Sequence, residues 1–262
     1  MKHLKSSLRD LHELFDHAVM VRHLAEPFVS FDGPRFAVEV LKFMNERDFD
    51  VVGVRRDGAV EGFVHRSDLN RGTLDEHLQR FEDRLLLHES APLLATLDIL
   101  TTSPHAFVLV LGQVAGIVTK GDLQKAPLRM WLFGLLSLLE MQLLRLIRNV
   151  HPEDSWTRFI SETRLSKARD ILQVRRSRNE AIDLADCLQF ADKKDIVVKT
   201  ARLRENFDFA SEGSADRALK DMQDLRDELA HAQDIITGKW PELAQQAHAV
   251  EELLKRCEDF AA

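Results

Sequence analysis

Two stretches of the sequence are copies of each other, and they decide the fold of the first half of the chain. "VRRDGAVEGFVHRSDL" at 54–69 aligns with "VLVLGQVAGIVTKGDL" at 108–123 after a shift of 54 positions, and seven of the sixteen aligned residues are identical. An internal repeat indicates two structural units of the same kind, neither of which buries its apolar face alone. We therefore expect the two copies to pack against each other.

The residues that the copies share predict a β-hairpin in each copy. Three shared valines are β-branched residues expected in strand interiors. Gly58 and Gly112 separate two apolar runs, where a two-residue hairpin turn needs positive φ, and Gly62 and Gly116 follow in the second strand. Helical stretches precede both copies, "RFAVEVLKFMNER" and "APLLATLDILTT", the second with Pro92 as a helix opener. The predicted order is helix, strand, hairpin, strand, helix, twice over, which is an α+β fold.

The end of the second copy carries a recognisable motif. It reads "GIVTKGD", with Gly116, Thr119 and Asp122 at fixed spacing. The repeated pattern resembles the cystathionine-β-synthase (CBS) domain, and two copies over 16–125 resemble a tandem CBS pair, or Bateman module. The resemblance implies a regulatory ligand of the adenine-nucleotide type, such as AMP, ADP or ATP, bound in the clefts between the copies. It also implies that the threonine and the aspartate contact phosphate and ribose.

The candidate ligand-binding residues differ between the two copies. The second copy has Gly116, Thr119 and Asp122, whereas the first has His65 where the motif has threonine and keeps Asp68. A second interpretation of the motif needs no ligand, because Thr-x-x-Asp is also a capping box that holds the first turn of a helix. Both roles of Thr119 and Asp122 are open on the sequence.

After residue 125 the strand pattern is replaced by helical periodicity. Breaks at "NVHPEDS", "SEGS" and "TGKWP" separate five or six predicted helices, which indicates an all-α helical bundle. The predicted organisation is an N-terminal helix at 1–15, the α+β pair at 16–125 and the all-α domain at 126–262. The leucine-rich segment 128–147 contains three charged residues, so we expect a buried core helix and no membrane span. The other helices are expected at 156–176, 180–187, 192–203, 214–237 and 241–257.

The composition is typical of a soluble protein of a reducing compartment. Cys187 and Cys257 lie far apart, no group of cysteines suits a metal, and the first residues have no apolar signal-peptide core. We therefore expect a cytoplasmic protein without a metal site.

The net charge is −7, yet 164–204 contains eleven basic and six acidic residues. This local excess suits contact with phosphates; the alternative is a set of solvated helix faces with interspersed acids.

The stretch "DLRDELAHAQD" at 224–234 carries the candidate catalytic residues. In a helix over 214–237 the apolar side chains form one narrow seam, and Arg226, Asp227 and His231 lie on a polar flank beside it. An arginine with a polar neighbour and a histidine a few residues later, late in an all-α domain, resembles the motif of the HEPN superfamily (higher eukaryotes and prokaryotes nucleotide-binding). The resemblance covers 126–262.

This resemblance implies a metal-independent endoribonuclease that acts on single-stranded RNA as a homodimer, with no catalytic cofactor and no action on DNA. His231 would act as general base or acid, Arg226 would stabilise the transition-state phosphate, and Asp227 would orient the histidine. A nucleotide-sensing pair that controls such an enzyme suits stress or phage defence. Two alternatives remain: a non-catalytic regulatory protein whose helical half binds RNA, nucleotide or a protein partner, and a plain helix surface with weak ion pairs. Glu140, a carboxylate in the leucine-rich helix, is expected to need a partner, for which the candidates are Arg226 and, on the same helix, Arg145 or Arg148.

Overall fold

The chain divides into two compact units. The computed structural model describes residues 7–231, 233–235 and 240–260. One unit is Glu13–Leu128, here called the sheet unit, and the other is Met1–His12 together with Arg129–Ala262, here called the helical unit. The sequence predicts boundaries after residues 15 and 125, a few residues from those of the two units.

The sheet unit contains both copies of the repeat, each folded around a β-hairpin. Its elements are α1 (Leu8–Ala18, which begins in the helical unit), β1 (Glu26–Pro27), β2 (Ser30–Asp32), α2 (Ala37–Arg47), β3 (Val51–Arg56), β4 (Ala59–His65), β5 (Gln79–Arg80), β6 (Leu86–His88), α3 (Ala95–Thr102), β7 (His105–Val110) and β8 (Gln113–Thr119).

Two four-stranded sheets have the same internal design. Their strand orders are β2-β3-β4-β5 and β1-β8-β7-β6. In each sheet the two hairpin strands are antiparallel (β3 with β4, β7 with β8). The strand that precedes the helix pairs in parallel with the first hairpin strand (β2 with β3, β6 with β7). A two-residue strand pairs antiparallel with the second hairpin strand (β5 with β4, β1 with β8). The register repeats as well, because Val54 is opposite Gly62 and Val108 is opposite Gly116, with an irregularity directly after each valine. The predicted duplication is confirmed down to the pairing of single residues.

The two hairpin turns have the conformation that the sequence predicts. Asp57 and Gly58 have φ values of 49° and 84°, and Leu111 and Gly112 have values of 50° and 81°. Positive φ at both central residues defines the type I′ turn, whose twist matches that of the strands it joins. Glycine at the second position adopts this conformation without steric strain, which explains why both copies keep it.

The copies pack against each other through an aromatic and aliphatic core. One buried cluster combines Val51 and Phe63 of the first hairpin with Phe107 and Val114 of the second. The rings of Phe63 and Phe107 are 4.8 Å apart between centroids. The expectation that each copy buries its apolar face against the other is confirmed.

The helices that flank the repeat differ from the prediction in two places. The first copy has no α-helix after β4, only a 3-10 turn at Arg66–Asp68, because Leu69 directly after it has extended backbone with ψ 115°. Pro92 is not the helix opener, since it forms a β-bridge with Met20 and α3 begins only at Ala95.

In the helical unit every described element is a helix. The elements are α4 (Ala126–Val150, which begins in the sheet unit), α5 (Glu162–Ser177), α6 (Phe190–Lys199), α7 (Ala201–Asn206), α8 (Glu212–Ala230) and α9 (Trp240–Phe260). Their fully buried leucines form the core of the unit: Leu132, Leu135, Leu139, Leu143, Leu146, Leu203, Leu219 and Leu254.

Three predicted helices have different boundaries. The helix predicted at 156–176 is divided into the end of a 3-10 segment, Pro152–Phe159, and α5, because Ile160 and Ser161 between them have extended backbone with ψ of 154° and 152°. The segment 180–187 contains only a 3-10 turn, Ala185–Cys187. The helix predicted at 192–203 is divided into α6 and α7 at Thr200, whose ψ of 105° is extended.

The leucine-rich helix α4 has the length and composition of a membrane-spanning helix. Among the described residues it is the one helix long and apolar enough to cross a bilayer, and 56% of its most apolar window is buried inside the chain. Arg145 on this helix donates a hydrogen bond to the carbonyl oxygen of Cys257 at 3.0 Å. Its burial and its polar contacts favour the predicted role of a core helix.

Candidate functional site

The Thr119–Asp122 motif forms a closed capping box at the end of β8. The Asp122 carboxylate accepts hydrogen bonds from the Thr119 backbone N–H at 2.7 Å and from the Thr119 hydroxyl at 2.9 Å. The same carboxylate starts the 3-10 turn Lys120–Gln124. The capping role that the sequence leaves open is therefore present in the structure. Ligand binding by these two residues stays a prediction.

The capping carboxylate is buried and paired with a lysine. Asp122 is 8% exposed, and its second oxygen lies 2.9 Å from Lys125 Nζ. Lys125 Nζ also donates to Glu26 Oε1 and to the Leu24 carbonyl, each at 2.5 Å. Burial opposes the charge on Lys125, but its hydrogen bonds to the Glu26 and Asp122 carboxylates raise the pKa of the amine above its ordinary value. A ribose hydroxyl bound by Asp122 would have to share this carboxylate with Lys125.

The corresponding end of β4 in the first copy is open. Asp68 is exposed and accepts a hydrogen bond from Gln79 Nε2 at 2.8 Å, and no side-chain cap joins it to His65. Arg66, between them, is held by Asp48 at 3.0 Å and Asp50 at 2.5 Å. With His65 in place of threonine, the first copy has no capping box, because the imidazole lacks the hydroxyl that donates to the aspartate in the second copy.

His65 instead contacts a histidine of the other copy. The rings of His65 and His105 lie 5.5 Å apart between centroids, and both contact Phe63. His105 is 5% exposed. Burial lowers the pKa of His105 to about 4, assisted by the charge of His65 and opposed by Asp50. Sequence reasoning did not single out His105, although the 54-residue shift that aligns His65 with Thr119 aligns His105 with Val51.

The corresponding positions of the two copies therefore carry different residues. In the strand register Thr119 is opposite His105, and His65 is opposite Val51. The second copy thus presents a hydroxyl and a buried carboxylate, while the first presents an imidazole and an exposed carboxylate.

In the helical unit, Arg226 and Asp227 lie on the partly exposed flank of α8, as the helical periodicity predicts. Met222, Leu225 and Leu229 form the buried seam. Arg226 Nη1 donates to Asp227 Oδ1 at 2.9 Å.

Arg226 has a second carboxylate nearby, on α4. Arg226 Nη2 is 4.0 Å from Glu140 Oε2, whereas Lys193 Nζ is only 2.7 Å from Glu140 Oε1. Lys193 is 6% exposed. The expected partnership of Glu140 and Arg226 exists at the limit of an ion pair, and Lys193 is the closer partner of Glu140.

His231 occupies a different place from the one expected. Helix α8 ends at Ala230 and not at 237, so His231 is its exposed C-cap; the seam positions 232 and 236 lie outside the described residues. The His231 backbone N–H donates to the Asp227 carbonyl at 3.0 Å. Among the described contacts, no hydrogen bond joins the imidazole to the side chains of Arg226 or Asp227. The structure brings Arg226 and Asp227 together and leaves His231 beside them at the helix end.

An arginine from α4 binds the C-terminal end of α8. Arg129 donates to the carbonyl oxygens of Gln233 at 2.8 Å, Leu229 at 3.1 Å and Glu228 at 3.4 Å. The Gln233 N–H donates back to the Glu228 carbonyl at 3.0 Å, the long bond of a Schellman-type helix end. Arg129 thus adds a side-chain donor to carbonyls at this helix end, and its guanidinium charge is favourable at the negative end of the helix.

The basic segment 164–204 is largely neutralised by its own neighbours. Six of its eleven cationic side chains contact a carboxylate: Arg164, Arg169, Arg175, Lys193, Lys194 and Arg204. Three others, Arg176, Lys199 and Arg202, contact a backbone carbonyl or an aromatic ring. These contacts favour the interpretation of salt-bridged helix faces over that of a surface reserved for phosphates.

Comparison with known structures identifies neighbours that cover the N-terminal part of the chain. The sequence matches no protein-family model, and no curated protein is significantly similar to it. An uncharacterized conserved protein from Pyrococcus horikoshii is 20% identical over 41% of this chain and 91% of its own, with a TM-score of 0.37. The CBS-pair protein CBSX2 from Arabidopsis thaliana is 16% identical over 42% of this chain and 95% of its own, with a TM-score of 0.38. CBSX2 has also been determined in complex with AMP, at 17% identity over 42% of this chain and 97% of that one, with a TM-score of 0.38.

Proposed function

We propose that the protein is an adenine-nucleotide-sensing regulator in which the sheet unit binds the ligand beside Thr119 and Asp122 and controls the helical unit. The observation that carries this proposal is the duplication, which repeats in residue register but keeps the Gly-x-x-Thr-x-x-Asp motif in one copy only. A tandem pair of this kind resembles the CBS pair. One complete motif out of two supports one ligand site per chain.

Calorimetry with AMP, ADP and ATP tests the sensing function. We expect one site per chain and a weaker affinity in Thr119→Val, whereas Thr119→Ser keeps the hydroxyl and binds like the wild type. Loss of a hydrogen bond to a bound phosphate weakens binding by about 1–3 kcal/mol. Asp68→Asn in the first copy is the matched control and leaves the affinity unchanged. Absence of binding heat with all three nucleotides would remove the proposed ligand.

For the helical unit, we propose a metal-independent endoribonuclease of the HEPN type. Arg226 and Asp227 lie together on the partly exposed flank of α8, and His231 is exposed at its end, so an arginine and an imidazole both reach solvent. Attack by the ribose 2′-OH needs a proton shuttle that titrates near neutral pH and a cation at the phosphate. The proposed assembly is a homodimer in which two such helix ends form one cleft. The alternative is a non-catalytic helical half that binds RNA, nucleotide or a protein partner.

Incubation of the protein with single-stranded RNA in the presence of EDTA distinguishes the two. We expect products with 2′,3′-cyclic phosphates, an intact single-stranded DNA control, and loss of cleavage in Arg226→Ala and His231→Ala. Arg217→Ala on the same helix and His248→Ala on α9 are exposed matched controls that retain cleavage. Equal activity in His231→Ala and the wild type, or a requirement for a divalent ion, would contradict the mechanism. No cleavage by any variant, with or without nucleotide, favours the non-catalytic alternative.

A further inference from the structure

The end of α8 is stabilised by a residue from a distant part of the chain. Arg129 is 104 residues from Gln233, yet its guanidinium contacts Gln233 and two further carbonyls of the last turn. His231, which is two residues before Gln233, is the C-cap of the same helix. Arg129 therefore contacts backbone carbonyls on both sides of His231.

Arg129 is also close in sequence to the ligand motif. Lys125 directly precedes α4, and its amine contacts the Asp122 carboxylate at 2.9 Å and Glu26 at 2.5 Å. Lys125 is the extended residue directly before α4, and Arg129 is the fourth residue of α4, at the end of its first turn. Because successive turns of a helix are joined by backbone hydrogen bonds, a shift at its first residue changes the position of the next turn.

From these contacts we infer that Arg129 is a positioning residue that couples the Thr119–Asp122 motif to His231. A ligand that binds Asp122 competes with Lys125 for the carboxylate and changes the anchoring of the first turn of α4. Arg129 moves with this turn, and the three carbonyl bonds at the end of α8 weaken or re-form. The C-terminal turn of α8 is then the element through which the nucleotide controls the helical unit. The ligand part of this inference rests on the proposed function.

Hydrogen–deuterium exchange of the 225–235 peptide in the full-length protein measures the coupling without a ligand. The Gln233 and His231 amides are both donors in this turn. We expect faster exchange in Arg129→Gln, on the order of tenfold, the change expected from the loss of one net hydrogen bond. We also expect faster exchange in Lys125→Met, although Lys125 is not part of this peptide. The matched control is Lys42→Met, which removes an exposed lysine of α2 and leaves the 225–235 peptide unchanged.

The double variant separates coupling from a purely local cap. If the effect of Lys125 passes through Arg129, Lys125→Met adds nothing to the exchange rate in the Arg129→Gln background, which is a non-additive result. Wild-type exchange in Lys125→Met, or an undiminished effect in the double variant, overturns the inference even if Arg129 caps the helix.

AMP then tests the ligand part in the same assay, with calorimetry in parallel. If AMP binds and changes exchange at 225–235 in the wild type but not in Arg129→Gln, the coupling operates under ligand control. If AMP binds without any change in this peptide, the inference is wrong and the proposed sensing site stands. If AMP does not bind, the proposed ligand is wrong, and the lysine variants alone decide the coupling.

Discussion

Acidification should destabilise the sheet unit through His105. This imidazole is buried between the two copies, and its pKa is lowered from 6.5 to about 4. In the unfolded chain the same histidine binds a proton at the ordinary pKa, so the unfolded state gains more protons as the pH falls. The contribution of His105 to stability is fully present above 6.5 and is lost as the pH falls towards 4.

The size of the effect follows from the shift. One pKa unit corresponds to about 1.4 kcal/mol, so protonation of His105 removes at most about 3 kcal/mol of the free energy of unfolding. Two neighbouring groups act on the pKa of His105 in opposite directions: Asp50 raises it and so reduces the shift, and His65 lowers it and so increases the shift. A loss of this size is a large fraction of the stability of a domain, which is about 5–15 kcal/mol.

The assay is hydrogen exchange of the β7 and β8 amides, corrected for intrinsic rates, at about pH 7 and about pH 4.5. Tryptophan fluorescence is unsuitable, because Trp131, Trp156 and Trp240 all belong to the helical unit. In His105→Val, which introduces the residue that the other copy has at Val51, the pH-dependent part of the loss should disappear. His17→Gln, at an exposed histidine of the sheet unit, is the control. An unchanged pH dependence in His105→Val, or an NMR titration of His105 near its ordinary pKa, would refute the reasoning.

Three further predictions concern the duplication and the core. His65→Thr recreates the Thr-x-x-Asp motif with Asp68, and calorimetry should then show a second nucleotide site per chain; unchanged stoichiometry would contradict this. Gly62→Ala should destabilise the protein more than Gly116→Ala in denaturant unfolding, because a Cβ would lie 2.1 Å from a backbone oxygen of β5 at Gly62 but 3.1 Å from the nearest side-chain atom at Gly116. Burial raises the pKa of Cys257 to about 12, so its thiol should resist alkylation near neutral pH until the protein is unfolded, as mass spectrometry would show.

The repeat could be predicted from the sequence because its signals are local. The hairpin turns need glycine for positive φ at Gly58 and Gly112, and the strands on either side of each turn are contiguous in the chain. Once two strands are joined by a two-residue turn, their register is set by the turn. The capping box of Thr119 and Asp122 spans only four residues and was equally visible. The same locality explains why Met222, Leu225 and Leu229, the described part of the predicted seam, are buried in α8.

The features that the sequence did not reveal depend on contacts between distant residues. At the end of α8, the carbonyls of Glu228 and Leu229 accept hydrogen bonds from Arg129, about a hundred residues earlier in the chain. The two-residue strand β1 is defined by its pairing with β8, and burial of His105 requires the packing of one copy on the other. The helical periodicity of the sequence continues past residue 230. No local sequence signal indicates that Arg129 binds the end of this helix. Local conformational preferences thus determined the hairpins and most helices, whereas the position of His231 and the chemistry between the copies were decided by tertiary contacts.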